Sequence, residues 1–166
     1  GIDAIAIESP PYFHPEQAAA GVDAGVHVYL AKPIAVDVPG CQTIADSGAK
    51  ATQNKLVYLI DFQTRAQPIY MEAVKRVHQG DIGPIASGVA SYHCGRLGTQ
   101  AEPGTPEARL RNWVFDIALS GDIITEQNIH AIDVATWVLD SAPVSSIMTG
   151  GRKVRTDVGD CWDHFV

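Results

Sequence analysis

The run Thr125-Glu126-Gln127-Asn128-Ile129-His130-Ala131-Ile132-Asp133-Val134-Ala135-Thr136-Trp137 holds the residues best suited to chemistry. On a helix, at about 100° per residue, Glu126, His130, Asp133 and Trp137 fall within roughly 60° of arc. They form a polar stripe on a helix otherwise built largely of Ile, Val, Ala and Leu. Burying carboxylates and an imidazole is costly unless they are paired or used. An imidazole with an acid one turn away can serve as a general acid/base, the carboxylate orienting the ring and raising its pKa toward the working pH. The same spacing also suits a His–Glu pair that only crosses a helix interface. Glu and His at i, i+4 with Asp at i+7 could bind Zn²⁺ or Mn²⁺. No second His cluster lies nearby, so no metal is expected.

Two further elements carry polar groups at strand ends. In Gly25-Val26-His27-Val28-Tyr29-Leu30-Ala31-Lys32-Pro33, Lys32 follows an apolar strand and precedes a proline that fixes the turn. Ligands of open α/β sheets bind at the C-terminal ends of the strands, although a lone Lys there also suits a solvated loop. Ile7-Glu8-Ser9-Pro10-Pro11-Tyr12-Phe13-His14 ends another strand and leads into a helix. Ser9 could hydrogen-bond a ligand, or simply start the turn.

The elements that must position these groups alternate over the first sixty residues. Strands are predicted at 3–7, 26–30 and 56–60, and helices at 14–24 and 38–51. Gly25 is placed to end the first helix and Asp37 to cap the second. This βαβ rhythm predicts a parallel, doubly wound sheet. Beyond Asp61 the pattern changes. An amphipathic helix is predicted over 68–79, closed by Gly80, and strands at 85–92, 144–148 and 161–166. A long loop is predicted over 95–108, and one long apolar helix over 122–139. The reading is two partial domains, 1–62 and 63–166, dividing near 61–66.

Composition narrows the partners. The chain has 166 residues, 46% of them apolar and 19% charged, which supports a packed core. The formal net charge of -7 excludes nucleic acid or an anionic membrane as the main partner. Cys41, Cys94 and Cys161 are odd in number and lack a C-x-x-C pair, so free thiols and a cytoplasmic, reducing location are expected. No apolar run approaches the ~20 residues of a membrane span. Both ends fall inside strand-like patterns and are read as cuts.

In this order and spacing the elements resemble the glucose–fructose oxidoreductase / inositol dehydrogenase / MocA family. The family has a strand ending in Thr-Pro, then a His, then Gly-Lys-His-Val and Glu-Lys-Pro. Here these are Ser9-Pro10, His14, Gly25-Val26-His27-Val28 and Ala31-Lys32-Pro33. Its Gly-Gly, Asp, His, Asp and Trp correspond to Ser120-Gly121, Glu126, His130, Asp133 and Trp137. Phe62-Gln63-Thr64-Arg65 and Asp81-Ile82-Gly83-Pro84-Ile85 are similar to the segments that open its second domain.

The resemblance implies an α/β chain: the C-terminal part of a Rossmann parallel sheet, followed by part of an α+β domain with a large, mostly antiparallel sheet. It implies NAD or NADP, a small-molecule sugar or polyol, and a homo-oligomer formed through the large sheet. By the same resemblance Lys32 would assist proton transfer and His130 would be the general acid/base. Glu126, in place of Asp, would orient His130 or bind a substrate hydroxyl. Ser9, Pro10, His14, Lys32 and Pro33 would line the cofactor side. Arg65, Asn112, Trp113, Gln127 and Asp133 would contact substrate. Ala31 stands where the family has Glu, and no Gly-x-Gly-x-x-Gly loop occurs in the sequence. A nicotinamide-assisted lyase or glycosidase, or a non-catalytic binding protein, could use the same fold.

Overall fold

The computed structural model describes residues 1–166. Three short strands, β1 (Ala4–Ile7), β2 (His27–Ala31) and β3 (Tyr58–Asp61), pair in parallel in that order. Ile7 lies beside Leu30, and Leu30 beside Ile60, so the strands finish nearly level. Helices α1 (His14–Asp23) and α2 (Val38–Gln53) link them and pack against each other and the sheet. The local causes are those the sequence offered. Gly25 takes φ +74° after α1, where a left-handed residue ends the helix. Asp37 caps α2, its carboxylate accepting the Gly40 N–H at 2.7 Å.

Ile7, Val28 and Leu30 point from the strands into a core closed by Ala18 and Val22 of α1 and Ile44 and Ala51 of α2. Ala6, Tyr29 and Leu59, adjacent in register, occupy the opposite face and are exposed. The alternation along β2, Val28 and Leu30 buried with Tyr29 exposed between them, is that of a sheet with helices on one side.

Past β3, a 3-10 turn (Gln63–Ala66) leads into α3 (Pro68–His78). Short helices follow: α4 (Ala108–Arg111), α5 (Ile117–Ser120), α6 (Asp122–Glu126) and α7 (Ile129–Leu139). The only sheet here is a two-residue antiparallel pair, β4 (Gly150–Gly151) with β5 (His164–Phe165). The strands expected at 85–92 and 144–148 are not formed, and 161–166 contributes only its last part. A strand exists only with a neighbour to complete its hydrogen bonds, and no neighbour pairs with these segments. Val89, Val144 and Ile147 are accordingly almost fully exposed. The single helix expected over 122–139 is broken between α6 and α7.

The parallel sheet rests on Leu30, which is fully buried at the centre of the core. Leu30→Ala is expected to lower unfolding stability by about 2–5 kcal/mol, the range for a buried Leu truncated to Ala. Urea denaturation measures it; a loss under about 0.5 kcal/mol, the scale of a surface change, would contradict this core.

Candidate active site

The C-terminal end of β2 delivers Lys32. The proline after it cannot donate to the sheet and stops the strand. From there the Lys32 ammonium reaches α6. Its Nζ donates to Glu126 Oε1 at 2.7 Å and to the Glu126 main-chain carbonyl at 2.5 Å.

The helix break makes the second of these bonds possible. The Asn128 N–H bonds back to the Ile123 carbonyl at 3.0 Å, a wider turn than the α-helical one, and the Gln127 N–H shares that acceptor. The His130 N–H then goes to the Gln127 carbonyl at 3.3 Å, not to that of Glu126. The Glu126 carbonyl is thereby left for Lys32. At its other end α6 is aimed by two successive left-handed residues, Gly121 at φ +76° and Asp122 at φ +71°. Asp is among the few side chains that tolerate this region. The Asp122 carboxylate accepts the Ile123 and Trp162 N–H groups, which fixes the start of α6.

Glu126, His130 and Asp133 are all buried, but they do not converge on one another. Glu126 turns to Lys32. Asp133 accepts from Arg65 Nε at 2.8 and 3.0 Å and also lies 2.8 Å from Arg65 Nη2, while the guanidinium stacks over Trp137. That two-oxygen pair braces α7 against the turn after β3. No hydrogen bond joins Glu126 to His130. Glu126 Oε2 and His130 Nδ1 are enclosed and have no partner within the protein.

Burial governs both titrations. It pushes the Glu126 carboxyl above its usual 4.5, against the pull of the Lys32 ammonium. It draws the His130 imidazole below its usual 6.5, helped by the Lys32 charge and opposed by the Asp133 and Asp61 carboxylates. Each group is shifted toward its neutral form, as expected of a site shielded from water.

The remaining expected residues fall into three groups. Ser9 and Pro10 follow β1 beside the Lys32–Pro33 turn, and Ser9 Oγ donates to Gln17. His14 is 1% exposed, with one ring nitrogen 2.8 Å from the Ser9 carbonyl and the other 2.8 Å from that of Pro33. It ties the two strand-end turns together. Asn112 is occupied with the backbone of Gln100 and Ala101, so it serves a loop. Trp113 and Gln127 are half-buried, Gln127 at the helix break itself.

Two residues at the site went unnoticed in the sequence. Asp61 ends β3 in register with Ala31, at the strand end where ligands gather. Its position after an apolar strand was a usable signal, the same one that marked Lys32. Tyr92 stacks on the His130 ring, with centroids 5.1 Å apart and planes 29° apart. Nothing in its local sequence distinguishes it from any strand aromatic.

Residues 1–59 match the oxidoreductase family with an NAD-binding Rossmann fold, and residues 70–165 match the GFO/IDH/MocA C-terminal domain. The chain belongs to the Gfo/Idh/MocA family. It is 27% identical over 153 residues to the scyllo-inositol 2-dehydrogenase (NAD(+)) of Bacillus subtilis (strain 168), covering 92% of this chain and 39% of that protein. It is also 27% identical over 167 residues to an inositol 2-dehydrogenase of Rhizobium meliloti (strain 1021), covering 98% of this chain and 44% of that one. The aldose-aldose oxidoreductase from Caulobacter crescentus, solved with glycerol, shares the fold, with a TM-score of 0.80 at 22% identity over 99% of this chain and 45% of its own. The chain thus spans less than half the length of these relatives.

The raised Glu126 pKa makes a sign-specific prediction. A carboxyl whose folded pKa lies above its unfolded value contributes stability that is complete below about 4.5 and is lost as pH rises through the folded value. The stability of the wild type minus that of Glu126→Gln should therefore fall as pH climbs upward from 4.5. Urea titrations at a series of pH values measure it, and a difference that stays flat or rises would contradict a desolvated Glu126.

Proposed function

We propose that this chain supplies the chemical side of a nicotinamide-dependent dehydrogenase site acting at a carbinol carbon of a sugar, polyol or related compound. The reading is carried by one observation. Lys32, at the C-terminal end of a Rossmann strand, meets Glu126, which precedes the buried His130 by four residues across the helix break.

The residues fit a nicotinamide and a hydroxyl-bearing substrate. Ser9, Pro10, Lys32 and Pro33 would line the cofactor end, since all follow adjacent parallel strands. His14 would hold that wall in shape rather than touch the ligand. The enclosed, unpaired Glu126 Oε2 and His130 Nδ1 leave acceptor or donor capacity that no protein group uses. The nicotinamide of NAD or NADP, when bound, supplies the hydride acceptor or donor.

The chain's own groups would manage the proton and the geometry. Lys32 would hold the reacting hydroxyl oxygen and favour its ionised form. His130, shifted toward its neutral form by burial, would accept the hydroxyl proton in the oxidative direction and return it in the reverse one. Glu126 would fix the Lys32 ammonium through both its carboxylate and its carbonyl. Arg65 and Asp133 would keep α7, and so His130, in place. Gln127 and Trp113 would be the side chains free to meet the rest of the substrate.

The test uses the full polypeptide that carries this sequence, with a sugar and polyol panel and both NAD⁺ and NADP⁺. Lys32→Ala and His130→Ala are each expected to lower kcat by about 10²-fold or more, the scale for an acid/base group. Reduced-cofactor absorbance reports turnover, and unchanged rates in both variants would sink the assignment.

A further inference from the structure

Residues 79–96 are all exposed except one, Tyr92. No helix or strand holds this segment between α3 and α4, so Tyr92 is its point of contact with the candidate site. That contact is made by ring on ring. The phenol lies on the His130 imidazole with centroids 5.1 Å apart and planes 29° apart, within the range of offset stacking.

The geometry has a chemical consequence. An imidazole accepts and donates protons in the plane of its ring. A ring stacked on its face removes water there and resists rotation about the side chain, yet leaves the edge open to a ligand. We infer that Tyr92 is a positioning residue for His130: it forms a wall that orients the imidazole and shields it from water, so that a ligand hydroxyl meets the ring edge. This deepens the proposed function and rests on His130 as its acid/base.

The charges around His130 come from every other element at the site. Lys32 approaches from the end of β2, Asp61 from the end of β3, and Asp133, paired with Arg65, from α7 itself. Glu126 of α6 is paired with Lys32. None of these groups depends on Tyr92. Removing the phenol ring therefore changes hydration and leaves the neighbouring charges in place.

The experiment is an NMR pH titration of the His130 ring in the wild type, Tyr92→Phe and Tyr92→Ala, the signal being assigned by its loss in His130→Gln. Burial is the leading cause that holds His130 below 6.5. In Tyr92→Ala, water returns to the exposed face and the midpoint should move up toward 6.5. Tyr92→Phe keeps the flat ring and should keep the wild-type midpoint. In the full polypeptide the pH profile of kcat should shift in the same direction for the Ala variant and not for Phe.

An unchanged midpoint in Tyr92→Ala would overturn the inference. So would Phe shifting as far as Ala, because the phenol oxygen and not the ring face would then be responsible. The titration needs no substrate, so it stands even if the dehydrogenase panel gives no turnover. Failure of the panel with the expected titration would remove the proposed reaction and keep the Tyr92–His130 pairing.

Discussion

The grip of the Lys32 ammonium on Glu126 organises the site. It joins residues 94 positions apart in sequence, the end of a strand and the end of a short helix. Both partners are largely shielded, with side chains 17% and 9% exposed. In such surroundings the pairing has to offset the cost of burial, and loss of either partner leaves a buried charge unmatched. The irregular features nearby all serve it. The proline after Lys32 stops β2 at the right length. The left-handed turn at Gly121 and Asp122 aims α6. The break at Gln127 and Asn128 frees the carbonyl that the ammonium needs.

Burial then sets the chemistry of the groups around this contact. It raises the Glu126 pKa and lowers that of His130, so it favours the uncharged form of each. Lys32 opposes the first shift and reinforces the second. Acidic residues temper the effect on His130. Asp133 is committed to Arg65, and Asp61 stands at the end of β3 in register with Ala31. Asp61 thus sets a carboxylate level with Ala31 on the adjacent strand. In the proposed reaction, an imidazole shifted toward its neutral form beside the Lys32 ammonium would suit removal of a proton from a hydroxyl.

The parallel sheet was legible in the sequence because its causes are local. Alternating short apolar strands and Ala-rich helices, with Gly25 and Asp37 at their ends, specify it without help from distant residues. The motif residues of the site were legible by type and by resemblance, and Lys32 also by its strand-end position. Their pairing was not. A straight helix puts Glu126 and His130 on one face, but the break between α6 and α7 ends that face, and residues from other elements claim the carboxylates. Arg65 and Asp133 were each read as substrate contacts, and the structure pairs them with each other. The segments at 85–92 and 144–148 carry strand-like residues without strand partners. Residue type marks a tendency there; pairing decides the outcome. Tyr92 was invisible for the same reason, since its importance comes only from the ring it lies on.

A double-mutant cycle between the two sides of the central contact tests most directly whether Lys32 and Glu126 hold each other. Lys32→Met, Glu126→Gln and the double variant would be compared with the wild type by urea unfolding at neutral pH. A coupling energy of about 0.5–3 kcal/mol is expected, as for residues in direct contact. Single effects that add to within about 0.3 kcal/mol would show that Lys32 and Glu126 do not hold each other, and the site described here would lose its organising interaction.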